Sequence, residues 1–252
     1  MTTTWLGIDA TNWVHVLWHA QGGRRVVPAV VERAKALIER LEPQHAIACF
    51  DRHSFRHALS PRYKASRAEK DEGLLEALKE TEAALSDVCE IAAQEPFEAD
   101  DCLATLAALG TRCEIRVIVA SPDKDLRQCL SEHVLILRKF VLSRGQVGDG
   151  DWYRASDLWE KYGLRPDQWP DYQALCGDRV DGVSGCEGWG PVTVQRALQK
   201  CGSLANLLEN PWKVRCSDRQ RGALAKFRKQ AETELQLVTL KTNVEAVFDA
   251  LR

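Results

Sequence analysis

The sequence of 252 residues lacks the features of a membrane or secreted protein. No apolar run approaches the roughly 20 residues that a membrane-spanning helix needs. Residues 1–5 do not combine the basic region and apolar stretch of a signal peptide. The nine cysteines include no Cys-x-x-Cys pair, which argues against a zinc site. Nine is also an odd number, and Cys49, Cys102 and Cys176 lie in apolar patterns where buried free thiols are common, so we expect a reducing, cytoplasmic location. Because no apolar run could span a membrane, we expect no membrane partner.

A large excess of one charge is missing as well. The chain has 34 Lys and Arg against 36 Asp and Glu, a formal net charge of −2. This balance excludes a uniformly basic nucleic-acid binder, although it does not say where the charges lie. Apolar residues at 45% and charged residues at 28% exclude a disordered chain and indicate a globular one.

The first part of the chain alternates short apolar runs with helical patterns, which predicts an α/β fold with a mostly parallel sheet flanked by helices. The apolar runs lie at 5–8, 45–50, 114–120 and 134–137, and the helical patterns at 27–41, 71–88, 98–109 and 124–130. The glycine-rich residues 141–152 predict a hairpin or a linker. After residue 153 we predict helices at 155–162, 167–176, 192–200, 203–208 and 217–240.

Nine acidic residues fall at the ends of predicted strands, at the start of a helix or in a glycine-bounded turn. They are Asp9, Asp51, Glu98, Asp100, Asp101, Asp123, Asp125, Asp178 and Asp181. Each one alone is a candidate helix cap or solvated surface group. Because the carboxyl ends of parallel strands line one crevice, however, we expect many of them to gather. Carboxylates so gathered repel one another unless cations neutralise them, and their hard oxygens suit Mg²⁺ or Mn²⁺.

Two segments concentrate positive charge. Residues 52–67 contain five Lys and Arg and no acid, directly after Asp51, which predicts a phosphate-holding segment beside the acids. Residues 213–229 contain seven Lys and Arg and one acid, Asp218. A solvated helix face and a contact with duplex nucleic acid both remain open for this second segment.

Together, these motifs resemble the 5′-nuclease family, which includes the 5′–3′ exonuclease domain of bacterial DNA polymerase I, phage 5′ nucleases and flap endonucleases. The matching segments occur in the family's order across roughly residues 5–210. They are Gly-Ile-Asp-Ala-Thr-Asn at 7–12, Phe-Asp at 50–51, Phe-Arg-His at 55–57 with Tyr-Lys-Ala-Ser-Arg at 63–67, Glu-Ala-Asp-Asp at 98–101, Asp-Lys-Asp-Leu at 123–126, the turn 177–181 and Gly-Trp-Gly-Pro-Val-Thr at 188–193.

The resemblance implies two divalent ions, Mg²⁺ or Mn²⁺, held by the nine acids. It assigns one ion mostly to Asp9, Asp51, Glu98, Asp100 and Asp101, and the other mostly to Asp123, Asp125, Asp178 and Asp181. Two metals about 3.5–4 Å apart can serve the attacking and the leaving oxygen of a phosphodiester. With these nine acids set aside, 27 acidic residues remain against 34 basic ones, so the rest of the surface is basic.

The resemblance also implies a helical arch at about residues 52–88 and a DNA-gripping helix–three-turn–helix motif at about 178–200. It names Asp9, Asp100, Lys64 and Arg67 as catalytic residues, with Lys64 and Arg67 at the scissile phosphate. The DNA contacts that it implies are Arg56, Tyr63 as a base-stacking ring, Lys64, Arg67, Lys124, Gly188, Trp189, Gly190 and Thr193. A K⁺ ion at the hairpin is a further expectation. The chain departs from the family at Val192, where a Lys is frequent, and lacks the proline often found within 68–85.

We therefore predict a nuclease core over residues 1–152 and a helical DNA-binding region over 153–252. The predicted activity is metal-dependent cleavage of DNA by a 5′-flap endonuclease or 5′–3′ exonuclease. The expected substrate has a 5′ single strand beside duplex, and the expected state is a monomer working beside a separate DNA polymerase. The alternatives are a PIN-type ribonuclease, a non-catalytic structure-specific DNA-binding protein, and a phosphoaspartate receiver that leaves half the chain unexplained.

Overall fold

The computed structural model describes residues 3–67, 71–143 and 146–252. These residues form two compact units, one of residues 3–54, 71–154 and 240–252, the other of residues 55–67 and 155–239. Within the described ranges, no helix is both long enough and apolar enough to cross a membrane. All nine cysteines are free thiols, as predicted.

The strands in chain order are β1 (Thr4–Asp9), β2 (His45–Cys49), β3 (Glu90–Ala92), β4 (Arg116–Ala120), β5 (Val134–Ser143) and β6 (Gln146–Tyr153). The helices are α1 (Ala10–Gln21), α2 (Val26–Leu41), α3 (Arg56–Leu59), α4 (Glu72–Leu85), α5 (Ala99–Arg112), α6 (Ala155–Tyr162), α7 (Trp169–Cys176), α8 (Pro191–Cys201), α9 (Leu204–Glu209), α10 (Asp218–Phe227), α11 (Ala231–Val238) and α12 (Glu245–Ala250). Short 3₁₀ helices lie at Asp125–Cys129, Pro166–Gln168 and Pro211–Lys213.

The first unit is built on a six-stranded sheet in the order β3-β2-β1-β4-β5-β6. The strands β3, β2, β1, β4 and β5 run parallel, and β6 pairs antiparallel with β5. Strand β1 lies at the centre because its residues are apolar and buried on both faces, as expected for a parallel sheet covered by helices. This architecture confirms the predicted fold class.

Helices pack against both faces of the sheet and complete the core of this unit. On α2, the buried Val30, Ala34 and Leu37 recur at helical spacing and turn one stripe toward the strands. Against α5 the backbone of β1 comes very close, since a Cβ on Gly7 would lie 2.7 Å from Leu103 Cδ2. A glycine in β1 thus sets the depth at which α5, which carries several acids at its start, sits against the sheet.

The order of the strands creates a crevice at the centre of the sheet. The chain moves outward from β1 through β2 to β3, and then returns to β4 on the other side of β1. In open parallel sheets the carboxyl ends of strands on either side of such a reversal line the ligand site. Here β1 ends at Asp9, and β4 ends directly before Ser121 and Asp123.

The second unit is helical and includes the segment around α3. The guanidinium of Arg56 is 1% exposed and donates from Nε to Leu237 O at 2.9 Å and from Nη2 to Thr239 O at 3.2 Å. These carbonyls lie at the C-terminal end of α11, where a cation is favoured. This contact explains why residues 55–67 group with the helical unit, whereas the sequence placed them in the nuclease core.

Several predicted elements differ from those observed. The predicted helix 217–240 is two helices, α10 and α11, separated by residues 228–230 without a glycine or proline to signal the break. Residues 240–252 belong to the first unit, where Lys241 N donates to Asp101 Oδ1 at 2.8 Å. Strand β3, of only three residues, was not predicted, and 124–130 contains a 3₁₀ helix. The predicted hairpin within 141–152 is confirmed by the β5–β6 pair.

Candidate active site

Asp9 is the central carboxylate at the crevice of the first unit. It is 3% exposed and caps α1, because its Oδ1 accepts a hydrogen bond from Asn12 N at 3.0 Å. Its Oδ2 accepts a hydrogen bond from the hydroxyl of Ser121 at 2.6 Å. Burial, together with the smaller effect of the negative charges of Asp51 and Asp123, raises the pKa of Asp9 to about 7.

Ser121 links the ends of β1 and β4. While its fully buried hydroxyl donates to Asp9, it accepts a hydrogen bond from Asp123 N at 3.1 Å. Asp123 Oδ1 in turn accepts a hydrogen bond of 2.8 Å from the backbone N–H of Asp125. Asp125 is the first residue of the 3₁₀ helix. Ser121 was not among the predicted site residues, although it lies between the end of a predicted strand and Asp123.

Asp51 connects β2 to the neighbouring helices. Its backbone N–H donates to Thr11 Oγ1 at 2.8 Å, and its Oδ1 accepts from Ala99 N at 2.9 Å. The carboxylate therefore lies at the N-terminus of α5, where the helix dipole stabilises negative charge. Thr11 lies in one of the family-like motifs but was not predicted to have a role. In the structure its hydroxyl accepts the hydrogen bond from Asp51 N and so fixes the loop after β2.

The acids at the start of α5 differ in their surroundings. Asp101 is fully buried, with Oδ2 accepting from Glu98 N at 3.1 Å and Oδ1 from Lys241 N at 2.8 Å. Glu98 is the N-cap residue of α5 and is also buried, whereas Asp100 is half-buried. Burial, with added effects of the charges of Asp100 and Asp101, raises the pKa of Cys129. These two acids therefore lie near the 3₁₀ helix that begins at Asp125.

The first unit thus brings seven of the nine predicted acids to one edge of the sheet. In the parts of the chain that the structure describes, no three or more His, Cys, Asp and Glu side chains converge in the arrangement of a metal site. The donors are nonetheless all carboxylates, and burial and like charge disfavour the ionised form of Asp9. A hard divalent cation would offset both effects, so the chemistry of these residues fits Mg²⁺ or Mn²⁺.

The other two predicted acids belong to the second unit. Asp178 Oδ1 accepts from Val180 N at 2.9 Å, and Asp178 and Val183 exchange backbone hydrogen bonds of 2.8 Å. Asp181 forms an ion pair with Arg67 at 2.6 Å. The loop packs tightly: Gly177 has φ +73, and a Cβ there would lie 2.8 Å from Val183 O. Glycine is thus required for the turn that presents both acids.

Residues 55–67 contain two predicted DNA contacts that the structure places in the interior. Arg56 is buried against the end of α11, where its guanidinium faces backbone carbonyls, and its contact with DNA stays a prediction. Tyr63 is buried as well, in edge contact with His57 and with Lys64 Nζ 5.0 Å from its ring centroid. A ring held in this way is not available to stack on a base. Lys64 is half-buried and Arg67 is exposed.

The hairpin loop, which we define as residues 186–190, precedes α8 in the second unit. Gly188 is exposed with φ +75, and Gly190 is the exposed N-cap residue of α8. The ring of Trp189 is 2% exposed and its Nε1 donates to Gln220 O at 2.9 Å. The ring therefore packs inside the second unit, and its contact with DNA stays a prediction. Thr193 is half-buried in the first turn of α8.

Lys124 is the one predicted DNA contact that lies in the first unit. It is exposed and directly precedes the 3₁₀ helix, between Asp123 and Asp125. Its side chain thus starts from the same edge as the acids. A cation at this position offsets part of their negative charge.

Comparisons with known proteins agree with this architecture. Two family models match, the 5′–3′ exonuclease N-terminal resolvase-like domain over residues 8–163 and the 5′–3′ exonuclease C-terminal SAM fold over residues 164–251. Flap endonuclease Xni of Photorhabdus laumondii is 32% identical over 210 residues, which is 81% of this chain and 79% of that protein.

Longer relatives and a solved structure extend the comparison. The thermostable DNA polymerase I of Thermus thermophilus is 37% identical over 223 residues, 84% of this chain but only 26% of that polymerase. The chain therefore spans about a quarter of such polymerases. The bacteriophage T5 D15 flap endonuclease, solved as a pseudo-enzyme–product complex with DNA and metal ions, superimposes with a TM-score of 0.80 over 98% of this chain and 93% of that one, at 20% identity. This chain therefore belongs to the 5′–3′ exonuclease family, as its motifs predicted.

Proposed function

We propose that this chain is a divalent-metal-dependent 5′ nuclease that hydrolyses DNA phosphodiester bonds near the junction of a 5′ single strand and duplex. Both 5′-flap endonuclease and 5′–3′ exonuclease action fall within this proposal. The observation that carries it is the network of Asp9, Ser121 and Asp123 at the central crevice, in a chain of the 5′–3′ exonuclease family. The DNA and metal ions of the T5 structure support the same substrate and cofactor class.

The carboxylates of the first unit would hold Mg²⁺ or Mn²⁺. When bound, such ions lower the pKa of a coordinated water and stabilise the charge of the leaving oxygen. Asp9, Asp51 and Asp123 supply oxygens from three strand ends, and their backbone hydrogen bonds hold them in place before substrate arrives. Asp100, Glu98, Asp101 and Asp125 are additional candidates from the same edge. The assignment of Asp178 and Asp181 to a second ion stays a prediction.

Two cations of residues 55–67 would hold the phosphates. Arg67 is a planar donor suited to bidentate phosphate contact, and Lys64 is a point charge three residues before it. Because Arg67 is paired with Asp181, binding a phosphate means exchanging one anion for another. The exposed glycines of the hairpin loop would let backbone N–H groups approach duplex DNA, with K⁺ as a possible bridge to its carbonyls.

The other roles of the chain rest on the sequence. We propose action on DNA as a monomer in the cytoplasm, with a DNA polymerase working separately. Replication and repair are the processes in which 5′ ends beside duplex arise.

Two alternatives make different predictions for one experiment. A PIN-type ribonuclease would cleave an RNA flap in preference to a matched DNA flap, and a non-catalytic module would bind both without cleavage. A Mg²⁺ titration with labelled DNA and RNA flaps of identical sequence separates these cases. We expect metal-dependent cleavage of the DNA flap, and loss of that cleavage in Asp9→Asn.

A matched control keeps this experiment specific. Glu132 is an acid of the same unit with a side chain 87% exposed, so Glu132→Gln removes the same charge from a position that has no hydrogen bond to Asp9, Ser121 or Asp123. Full cleavage by Glu132→Gln with none by Asp9→Asn supports the proposal. Preference for RNA, or metal-independent activity, would overturn it.

A further inference from the structure

Glu234 is a buried acid that the proposed reaction does not use. It lies on α11 and is 1% exposed. Of the glutamates that the structure describes, only Glu98 is buried as well, and Glu98 belongs to the acids of the sheet edge. Glu234 shares the buried stripe of α11 with Ala231, Leu237 and Val238. Because taking a carboxylate out of water is costly, its place in this stripe needs a reason.

The carboxylate of Glu234 contacts two segments of the second unit at once. Its Oε2 accepts a hydrogen bond from Ser184 N at 2.9 Å, and its Oε1 lies 3.6 Å from Arg62 Nη2. Ser184 belongs to residues 177–185, which we call the acidic loop because they present the two predicted acids of this unit. Arg62 belongs to residues 60–67, which we call the basic segment. Each oxygen of one buried side chain thus binds a different segment.

The acidic loop and the basic segment also meet through their backbones. Lys64 N donates to Asp181 O at 3.1 Å. Gly182 has φ +73, and a Cβ there would overlap the carbonyl oxygen of Arg62. Glycine is therefore needed at this position both for the backbone conformation and for the close approach. Contacts this close define one relative position of the loop and the segment.

Helix α11 binds this part of the chain at a second point. Arg56, four residues before the basic segment, donates to Leu237 O and Thr239 O. Glu234 and Leu237 are three residues apart, so the two arginines bind α11 within about one helical turn of each other. A helix holds functional groups in place more precisely than a loop does.

The groups that these contacts align carry opposite charges. Arg67 of the basic segment forms an ion pair of 2.6 Å with Asp181 of the acidic loop. Under the proposed function, Lys64 and Arg67 hold a phosphate, and Asp178 and Asp181 are the predicted ligands of a second ion. Misplacing such groups by about 1 Å can lower a rate about 100-fold. The relative position of the two segments therefore bears on cleavage.

We propose that Glu234 is a positioning residue that holds the basic segment against the acidic loop, and so fixes the place of Lys64 and Arg67 relative to Asp178 and Asp181. One oxygen attracts the guanidinium of Arg62, and the other fixes the loop at Ser184. A buried ionic group is weak evidence for stability, whereas fixing one arrangement explains why it is kept. The inference rests on the proposed function in taking a phosphodiester as the group acted on.

Hydrogen exchange of the whole chain in EDTA tests these contacts without any reaction. Glu234→Ala removes both of them, so we expect exchange in residues 60–67 and 177–185 to rise about tenfold. Glu234→Gln keeps an oxygen for Ser184 N but places no charge beside Arg62, so exchange should rise in the basic segment alone. Exchange in α8 and β1 should stay at the wild-type level, which shows that both units remain folded.

The matched control is Glu232→Gln. Glu232 is an exposed acid two residues earlier on α11, so this variant removes the same charge from the same helix. Its exchange pattern, its melting temperature and its cleavage rate should all match those of the wild type.

Single-turnover cleavage of a 5′-flap DNA in Mg²⁺, with enzyme in excess, measures the reacting step independently of the fraction of active enzyme. We expect the rate to fall about 100-fold in Glu234→Ala and about tenfold in Glu234→Gln. Flap affinity in Ca²⁺, measured by fluorescence anisotropy, should change by less than about threefold, because one phosphate contact among several is disturbed. A role in folding alone would lower the melting temperature and leave the single-turnover rate unchanged.

The outcomes separate this inference from the proposed function. Wild-type exchange in the basic segment of Glu234→Ala, or a wild-type single-turnover rate in both variants, would overturn the positioning role and leave the nuclease assignment standing. A wild type that cleaves no 5′ flap removes the nuclease assignment, and the exchange pattern alone then decides whether Glu234 holds the two segments together.

Discussion

The guanidinium of Arg67 lies 2.6 Å from a carboxylate oxygen of Asp181, so two predicted site residues are bound to each other in the second unit. The backbone reinforces this relationship, because Lys64 N donates to Asp181 O at 3.1 Å. The Arg67 side chain is 49% exposed, which leaves the pair open to water and to competing anions. A phosphate that binds Arg67 must therefore compete with Asp181.

Replacing Arg67 by alanine should separate catalysis from stability. Because the Arg67 side chain is half exposed and the Asp181 side chain is mostly buried, the pair contributes on the order of 1 kcal/mol to folding, and Arg67→Ala should lower the melting temperature only slightly. We expect cleavage of a 5′ flap to fall at least 100-fold, because a phosphate-binding cation is lost. Steady-state assays and thermal melts measure the two effects.

Arg165 offers a matched comparison for this variant. It forms a similar exposed pair, with Asp167 at 2.9 Å, in the same unit. Arg165→Ala should retain full cleavage. Equal losses in Arg67→Ala and Arg165→Ala would mean that Arg67 has no special role at the phosphate.

Removal of the Ser121 hydroxyl should disturb the crevice. The hydroxyl joins Asp9 to Asp123 N, and its loss leaves the buried Asp9 Oδ2 without this donor and the part-buried Asp123 N without this acceptor. We expect Ser121→Ala to lower the free energy of unfolding by about 1–3 kcal/mol and to reduce cleavage. Urea unfolding of Ser86→Ala, which loses one exposed hydrogen bond to Ala83 O, provides the baseline. Equal stability of the two variants would contradict the proposed linkage.

The raised pKa of Asp9 predicts that the folded protein without metal loses stability as the pH rises. Since burial raises the pKa of Asp9 from 3.8 to about 7, the folded protein binds the proton more tightly than the unfolded chain. Stability without metal therefore falls as the pH rises from about 4 to 7. Asp9→Asn removes this titration and keeps an N-cap side chain.

In EDTA at pH 7.5 we expect Asp9→Asn to be more stable than the wild type by about 1–3 kcal/mol. The two proteins should converge below pH 4, where Asp9 is protonated in both states. Thermal melts across this pH range measure the difference. A constant difference at every pH would show that Asp9 titrates alike in both states.

Arg56 should be a stability residue. Its buried guanidinium donates to two carbonyls at the end of α11, and alanine would leave both unpaired. We expect Arg56→Ala to cost about 2–5 kcal/mol, with a lowered melting temperature. Arg196→Ala on the exposed face of α8 should cost less than 0.5 kcal/mol, as is usual for the surface. Similar melting temperatures for both variants would refute the buried role.

The sequence predicted the parts of the fold that local patterns encode. The strand ends at Asp9, Asp51 and Asp123 followed from apolar runs that stop at an acid, and topology alone gathers such ends. The break between α10 and α11 was not predicted because residues 228–230 contain no glycine or proline. The hydrogen bonds of Ser121 to Asp9 and Asp123 were not predicted because they form only when the tertiary structure brings the ends of two strands together.

Three of the predicted DNA contacts are buried in the structure. Arg56, Tyr63 and Trp189 have the side chains of nucleic-acid contacts, and they lie in segments that resemble the family's DNA-binding motifs. The partner of Arg56, Leu237 O, is 181 residues away, and the partner of Trp189, Gln220 O, is 31 residues away, so neither can be read from the local sequence. Amphipathic side chains of this kind serve packing as well as recognition.

In the proposed mechanism the carboxylates of the sheet edge make this chain a metal-dependent 5′ nuclease. The decisive measurement is product mapping on a doubly labelled 5′-flap DNA with Mg²⁺, for the wild type and Asp123→Ala. We predict wild-type cuts near the flap junction that leave a 5′-phosphate and a 3′-hydroxyl, and no cuts by Asp123→Ala, which still binds the flap in Ca²⁺. Undiminished cleavage by Asp123→Ala, or products with the opposite end chemistry, would contradict the account.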